Sequence, residues 1–352
     1  YKSVDTPGKA GVLIVNTCGF IHQAREESLN ELRKLARRKK DGQMLIAAGC
    51  LTERYREAVV EQVPGVDGIL GTRRWMDILE VIQSVRDKPQ QERYHIPDTE
   101  TVGRDERGVL RAAIAGGSAY LKIADGCRRP CAFCAIPLIK GTLVSRPADT
   151  ILHEAQLIEQ RGVQELILIA QDTTDYGHDL GIQDGLPDLL ESLVTRTQIP
   201  WIRILYTFPG YVTDHLIDVM AANPRILPYL DIPLQHAHPD MLKRMRRPAN
   251  MDWVYYTLEK MSQRLPNLAL RSTFIVGYPG ETDEEFATLL GFLKDIQFNR
   301  VGAFTFSFEQ GTSSEPLGDP VPAEVKQARY AQLMELQEKI SLQRNQTFIG
   351  KQ

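Results

Sequence analysis

The chain has 352 residues, 43% of them hydrophobic, and its 42 Lys+Arg against 45 Asp+Glu leave a formal charge of −3. At roughly 150 residues per domain that length predicts about two domains with ordinary buried cores. The balanced charge excludes a protein that coats nucleic acid by bulk electrostatics, and no apolar run approaches the ~18 residues of a membrane helix.

The chain starts at Tyr1, just ahead of a strand-like run, so an N-terminal piece is expected to be missing. Apolar runs at 11–17, 43–49 and 66–70 read as buried parallel strands, alternating with helices at 22–40, 53–62 and 76–85. Residues 1–86 are therefore expected to form an open parallel-sheet α/β domain, truncated at its start. Cys18 and Cys50 each follow a strand, at the carboxyl edge where such sheets bind ligands. As free cysteines they read equally well as small buried hydrophobes.

Residues 87–118 carry Pro89, Pro97, Gly103, Gly108, Gly116 and Gly117, and predict a linker with a small hairpin. Strands are then expected at 120–125, 165–171, 201–207, 229–235, 270–277 and 301–308. Helices are expected at 147–160, 186–195, 214–222, 251–264 and 283–296. This is an incomplete (β/α)6 TIM-like barrel over 119–322, with its chemistry at the C-terminal strand ends. A helix at 323–346 opens the final segment, 323–352. The basic runs Arg37, Arg38, Lys39, Lys40 and Lys243, Arg244, Arg246, Arg247 read as solvated helix faces.

The five cysteines are an odd count, which argues for a reduced, cytoplasmic protein that uses thiolates for metal or catalysis. Three of them lie in residues 126–134, GCRRPCAFC, on the loop after the first barrel strand. Cys127, Cys131 and Cys134 have C-x3-C-x2-C spacing. Three thiolates on one loop can hold three corners of a 4Fe-4S cube and leave the fourth iron open to a ligand. Zinc competes for such a tripod, but the next Cys or His is His153.

Residues 15–18 (VNTC), 48–50 (AGC), 126–134 with Ile136-Pro137, Lys140-Gly141, Ser145-Arg146 and 277–282 (GYPGET) together resemble the radical S-adenosylmethionine (SAM) methylthiotransferase family. The resemblance implies a 4Fe-4S cluster on Cys127, Cys131 and Cys134 whose open iron chelates SAM. One electron then cleaves SAM to methionine and a 5′-deoxyadenosyl radical, and Phe133 packs near the adenine. It also implies an auxiliary 4Fe-4S cluster with Cys18 and Cys50 as its second and third ligands. The first ligand would lie upstream, so that site is incomplete in this chain.

The phrases QDTTDYG at 171–177 and DIPLQH at 231–236 resemble the branch that methylthiolates the β-carbon of an aspartate on the twelfth protein of the small ribosomal subunit. The branch acting on transfer-RNA adenosine, which shows Gln-Asn-Val and Pro-Val-Gln-Ser there, is the alternative; a metal-binding scaffold without turnover is the second. An aspartate β-C–H is unactivated, which is why a cofactor must supply the oxidant. The family further implies a sulfur donor, a reductant such as a flavodoxin-type protein, and a C-terminal TRAM β-barrel that contacts RNA or the substrate. That TRAM domain is expected to be missing from this chain, whose residues 348–351 resemble the approach to it.

Other assignments have a plain structural alternative. Gln171 and Asp172 fall where relatives contact the SAM amino group, although Asp172 also suits a helix cap. Gly277 and Glu281 would let backbone approach SAM, or would simply form a Pro-Gly turn. Arg271 reads as a carboxylate contact or an ion pair. Gln235 and His236 end a strand at the cavity mouth, with His236 as a proton donor or a satisfied rim histidine. Arg128 and Arg129 flank the cluster loop and read as a solvated pair or a lure for an acidic partner. No Ser–His–Asp set or P-loop is present, so no acid–base or nucleophilic side chain is assigned.

Overall fold

The structure is a computed structural model that describes residues 1–87, 94–97 and 112–350. Strands β1 (Val12–Thr17), β2 (Met44–Gly49), β3 (Gly68–Gly71) and β4 (Tyr94–His95) lie side by side in that order, all parallel. Leu45 and Ala47 of β2 pack into one cluster with helices α1 (His22–Arg38), α2 (Cys50–Tyr55) and α3 (Glu57–Gln62). Ile46 and Ala48 pack into another with α4 (Ile78–Asp87). The two-residue period of a strand thus feeds two apolar layers, and both faces of the parallel sheet are covered.

Two details differ from expectation. The helix expected at 53–62 starts at Cys50 and breaks at Arg56, whose φ of 41° no helix tolerates. The stretch expected as a linker contributes β4 to the first sheet, while residues 88–93 and 98–111 of it lie outside the described residues.

The second unit begins with β5 (Ala113–Ala115), an antiparallel hairpin partner of β6 (Ser118–Lys122). Next come β7 (Ala124–Asp125), α5 (Ile136–Lys140) and β8 (Val144–Ser145), with β7 and β8 paired antiparallel around the cysteine loop. Helix–strand alternation follows: α6 (Ala148–Glu159), β9 (Glu165–Ile169), α7 (Gly185–Arg196), β10 (Trp201–Ile204), α8 (Asp214–Ala222) and β11 (Tyr229–Asp231). It continues through α9 (Pro239–Arg244), α10 (Met251–Arg264), β12 (Ala269–Val276), α11 (Asp283–Ile296) and β13 (Arg300–Thr305). Local signals set the helix starts: Asn250 caps α10, and Thr282 with Glu285 forms a capping box on α11.

Strands β6, β9, β10, β11, β12 and β13 form the expected partial barrel, but its wall divides into sheets β10-β9-β6-β5 and β11-β12-β13. The division lies between β10 and β11, where the chain segments meet through the isolated bridge Ile202–Ile226 and a bond from Thr207 N–H to Asp231 O at 2.9 Å; β11 itself stops at Asp231. Beyond Pro233 the chain reaches Gln235 at φ 75° and touches β12 again through the single bridge Gln235–Phe274. The main core lies between the outer faces of these strands and the surrounding helices. The last helix, α12 (Ala323–Gln346), packs on β13 and α11 and sends Leu333 and Ile340 into that core. No helix among the described residues is long and apolar enough to cross a membrane.

The two units dock through buried polar contacts. Arg54 of α2 donates to Glu309 Oε2 at 2.8 Å, to Gly19 O at 2.8 Å and to Gln310 O at 2.6 Å. Lys140 of α5 donates to Thr72 Oγ1 at 2.7 Å and to Asp125 Oδ2 at 3.0 Å. Removing one partner of a buried ion pair leaves the other charge uncompensated and costs about 3–5 kcal/mol. Arg54→Ala is therefore expected to loosen the docking by an amount of that order. Urea unfolding should resolve an early step assigned to the first unit, and an unchanged single transition would refute this.

Candidate active site

Gly126 opens the cysteine loop at φ 77°, and a Cβ there would sit 1.8 Å from Thr142 O. The loop is then fastened from three directions. Cys127 N–H donates to Gly141 O at 3.1 Å, Ala132 N–H to Met245 O at 2.9 Å, and Ser314 N–H to Ala132 O at 2.9 Å. Cys127, Cys131 and Cys134 consequently line one cavity of about 450 Å³, within the roughly 300–1,000 Å³ typical of small-molecule sites. Burial pushes the Cys127 thiol up to about 11 and the Cys134 thiol up to about 12. Uncoordinated, such thiols stay protonated at neutral pH, whereas a bound metal deprotonates them. Gly126→Ala should displace the loop and strip iron from the reconstituted protein; iron per chain equal to wild type would refute it.

Phe133 lines the same cavity and packs against the cluster formed by Met241, Met245, Tyr278 and Phe306. Gln171 lines it from the end of β9, and its Oε1 is buried without a hydrogen-bond donor. Gln235 also lines it. The other proposed cofactor contacts each have a protein partner. Asp172 accepts from Arg129 Nε at 2.6 Å and caps the turn Thr173–Asp175 through Thr174 N. Arg271 pairs across the strands with buried Asp231 at 2.7 Å. Glu281 accepts from Gly277 N and from Arg329 Nη1, both at 2.6 Å. Gly277, at φ 71°, has α12 against it, so a Cβ would lie 2.4 Å from Lys326 Cγ. The Gly277–Glu281 turn is thus bound to the C-terminal helix.

His236 is fully buried. Its Nδ1 accepts from His238 N–H at 3.0 Å, which leaves the proton on Nε2, 3.1 Å from Glu281 Oε1. Both ring nitrogens are therefore engaged, and the satisfied-histidine alternative describes it. Arg128 and Arg129 are both paired with carboxylates, Arg128 on the exposed side of the loop and Arg129 buried. Arg128 grips Asp175 bidentately at 2.6 and 2.8 Å, and buried Arg129 stacks over Tyr211 at 3.6 Å.

In the first unit, Gly19 has no room for a side chain because Cys50 O and Leu51 Cα would lie 2.8 and 2.7 Å from its Cβ. This close approach lays the Cys18 loop over the start of α2 and brings Cys18 beside Cys50. Burial raises the Cys50 thiol, and Lys140 and a hydrogen bond from Thr72 pull against that rise. Phe20, on the same loop as Cys18, crosses into the barrel cavity and joins Cys127, Cys131 and Cys134 in its wall. The Cys18 loop therefore reaches the barrel cavity through Phe20, while Cys18 and Cys50 themselves are not part of its wall.

The Radical SAM superfamily model matches residues 121–293, and a model described as an uncharacterized protein family, UPF0004, matches residues 1–71. The ribosomal protein uS12 methylthiotransferase RimO of Roseiflexus sp. (strain RS-1) is 44% identical over 97% of this chain and 76% of its own length. The RimO of Chloroflexus aurantiacus is 44% identical over 100% of this chain and 80% of its own. The chain belongs to the RimO family. Its fold is also that of the radical S-adenosylmethionine methyltransferase TsrM from Kitasatospora setae, with a TM-score of 0.66 at 13% identity over 86% of this chain and 65% of that one.

Within this RimO-family site, sequence reasoning passed over Phe20, Tyr206, Phe208 and Arg247. Tyr206 and Phe208 follow the end of β10, so the rule that directs attention to Gln171 after β9 would have found them. Phe20 stands two residues after Cys18, and nothing local marks it. Arg247 was hidden inside a basic run. The fit of a RimO-type cofactor pair rests on three thiols that line one cavity and on the unfilled acceptor Gln171 Oε1.

Proposed function

We propose that the chain places a methylthio group on the β-carbon of an aspartate of ribosomal protein uS12, with SAM and a 4Fe-4S cluster as cofactors. The observation that carries this reading is the single cavity in which the three thiols of the barrel loop meet Phe20 of the Cys18 loop. Cys127, Cys131 and Cys134 would hold the cluster, and Cys18 with Cys50 would serve a second one. The bound cofactors supply one-electron chemistry strong enough to break an unactivated C–H bond, which no side chain here can do.

The protein's part is placement and exclusion. Gln171 Oε1 suits an ammonium such as that of SAM, because a buried acceptor without a donor gains most from a charged one. Phe133 and Phe208 give an aromatic base apolar walls and keep water from the reacting carbon. The pairing of Arg129 with Asp172 and Asp175 holds the loop segment between Cys127 and Cys131 against the end of β9. A cytoplasmic reaction with a flavodoxin-type reductant, a sulfur donor and an rRNA contact completes the proposal.

The test is anaerobic incubation of the reconstituted protein with SAM, dithionite and sulfide in the presence of uS12 and, separately, of transfer RNA. Peptide mass spectrometry should find the aspartate of uS12 heavier by a methylthio group in place of hydrogen. Modification of adenosine with uS12 unchanged would move the assignment to the transfer-RNA branch, and zinc with no SAM binding would leave only a scaffold.

A further inference from the structure

Arg247 is the cation of the cavity to which the proposed function gives no task. It ends a basic run, yet it is only 8% exposed and lines the cavity beside the cysteines. Its guanidinium carbon lies 4.1 Å from the centroid of the Phe208 ring. Its Nη1 donates to Cys131 Sγ at 3.4 Å, its Nη2 donates to Pro233 O, and its Nε is buried without a partner. Among the described residues no carboxylate pairs with it, whereas its neighbour Arg129 has Asp172 and Asp175. A buried guanidinium with no counter-anion is strongly disfavoured unless negative charge arrives with a ligand. The groups it faces are the thiols of Cys131 and Cys134.

Resting on the assignment of a 4Fe-4S cluster to Cys127, Cys131 and Cys134, we propose that Arg247 is a positioning residue that sets the reduction potential of that cluster. Reduction adds one electron, taken from an external one-electron donor, and neither makes nor breaks a bond. The reduced form carries one more negative charge than the oxidised form. A nearby cation in a low-dielectric site favours it, and so does a hydrogen bond to a ligating sulfur. Phe208 fixes the guanidinium by stacking and keeps water from screening it.

The experiment is a dithionite titration of the full chain, reconstituted anaerobically with iron and sulfide. The midpoint is read by electron paramagnetic resonance on the signal that SAM perturbs. Arg247→Gln should lower the midpoint and make the cluster at least about tenfold harder to reduce, a shift of about 59 mV for one electron. Arg247→Lys, which keeps the charge but not the planar fork, should shift it less. A wild-type midpoint in the glutamine variant with its cluster intact overturns the proposal. Weakened SAM binding at an unchanged midpoint also overturns it and assigns Arg247 to the carboxylate of SAM. If the glutamine variant binds no iron, the lysine variant decides by the same criterion. Failure of the wild-type chain to assemble a cluster is a different result and refutes the underlying assignment.

Discussion

Cys131→Ala is expected to abolish SAM cleavage, bringing 5′-deoxyadenosine formation under dithionite down to that of a protein-free control. Cys131 is the middle ligand of the proposed tripod and the sulfur that Arg247 faces at 3.4 Å. Two thiols cannot hold a cube that needs three protein corners when the fourth serves a substrate. The fold itself should not change. The loop is fastened by backbone bonds of Ala132 to Met245 and Ser314, and none of these involves the Cys131 side chain. Circular dichroism and thermal unfolding should therefore match wild type while iron content falls. SAM cleavage near the wild-type rate with iron retained would remove Cys131 from the ligand set.

Cys50→Ala should separate the two halves of the reaction: methylthio product falls to background while SAM cleavage persists. The reason is the division of labour between the two units. The barrel loop is held by Gly141, Met245 and Ser314, all of the second unit, so the Cys127, Cys131, Cys134 site does not depend on Cys50 for its shape. Cys50 instead begins α2, beside Cys18, within reach of Thr72 and under the charge of Lys140. The readout is paired: 5′-deoxyadenosine by chromatography and modified uS12 by mass spectrometry from the same incubation. Loss of both would mean that Cys50 supports the barrel site, and loss of neither would leave it a structural cysteine.

The comparison of Asp172 with Gln171 illustrates how far local sequence carries a site assignment. Both stand at the end of β9, and residue type makes either a plausible cofactor contact. The structure separates them, because Asp172 is taken by Arg129 and by its own turn while Gln171 Oε1 is left unfilled in the cavity wall. Arg271 and Glu281 are similar cases. Their carboxylate and cation partners are protein groups brought in from β11 and α12, which no window around the residue reveals.

Taken by itself, the amino-acid sequence determined the α/β class, the main alternation of strands and helices and the cysteine loop, because each is written in short-range periodicity and spacing, while the family was legible in the likeness of its motifs. Tertiary structure alone decided which charges are buried and what they meet. Arg247 reaches Cys131 across 116 positions and Arg54 reaches Glu309 across 255. Phe20 enters the barrel cavity only because Gly19 lets its loop lie on the backbone of Cys50 and Leu51. Backbone preference acts over a few residues, whereas burial and ion pairing depend on which distant surfaces pack together, so the same basic run can read as solvent-facing and fold into the centre of the site.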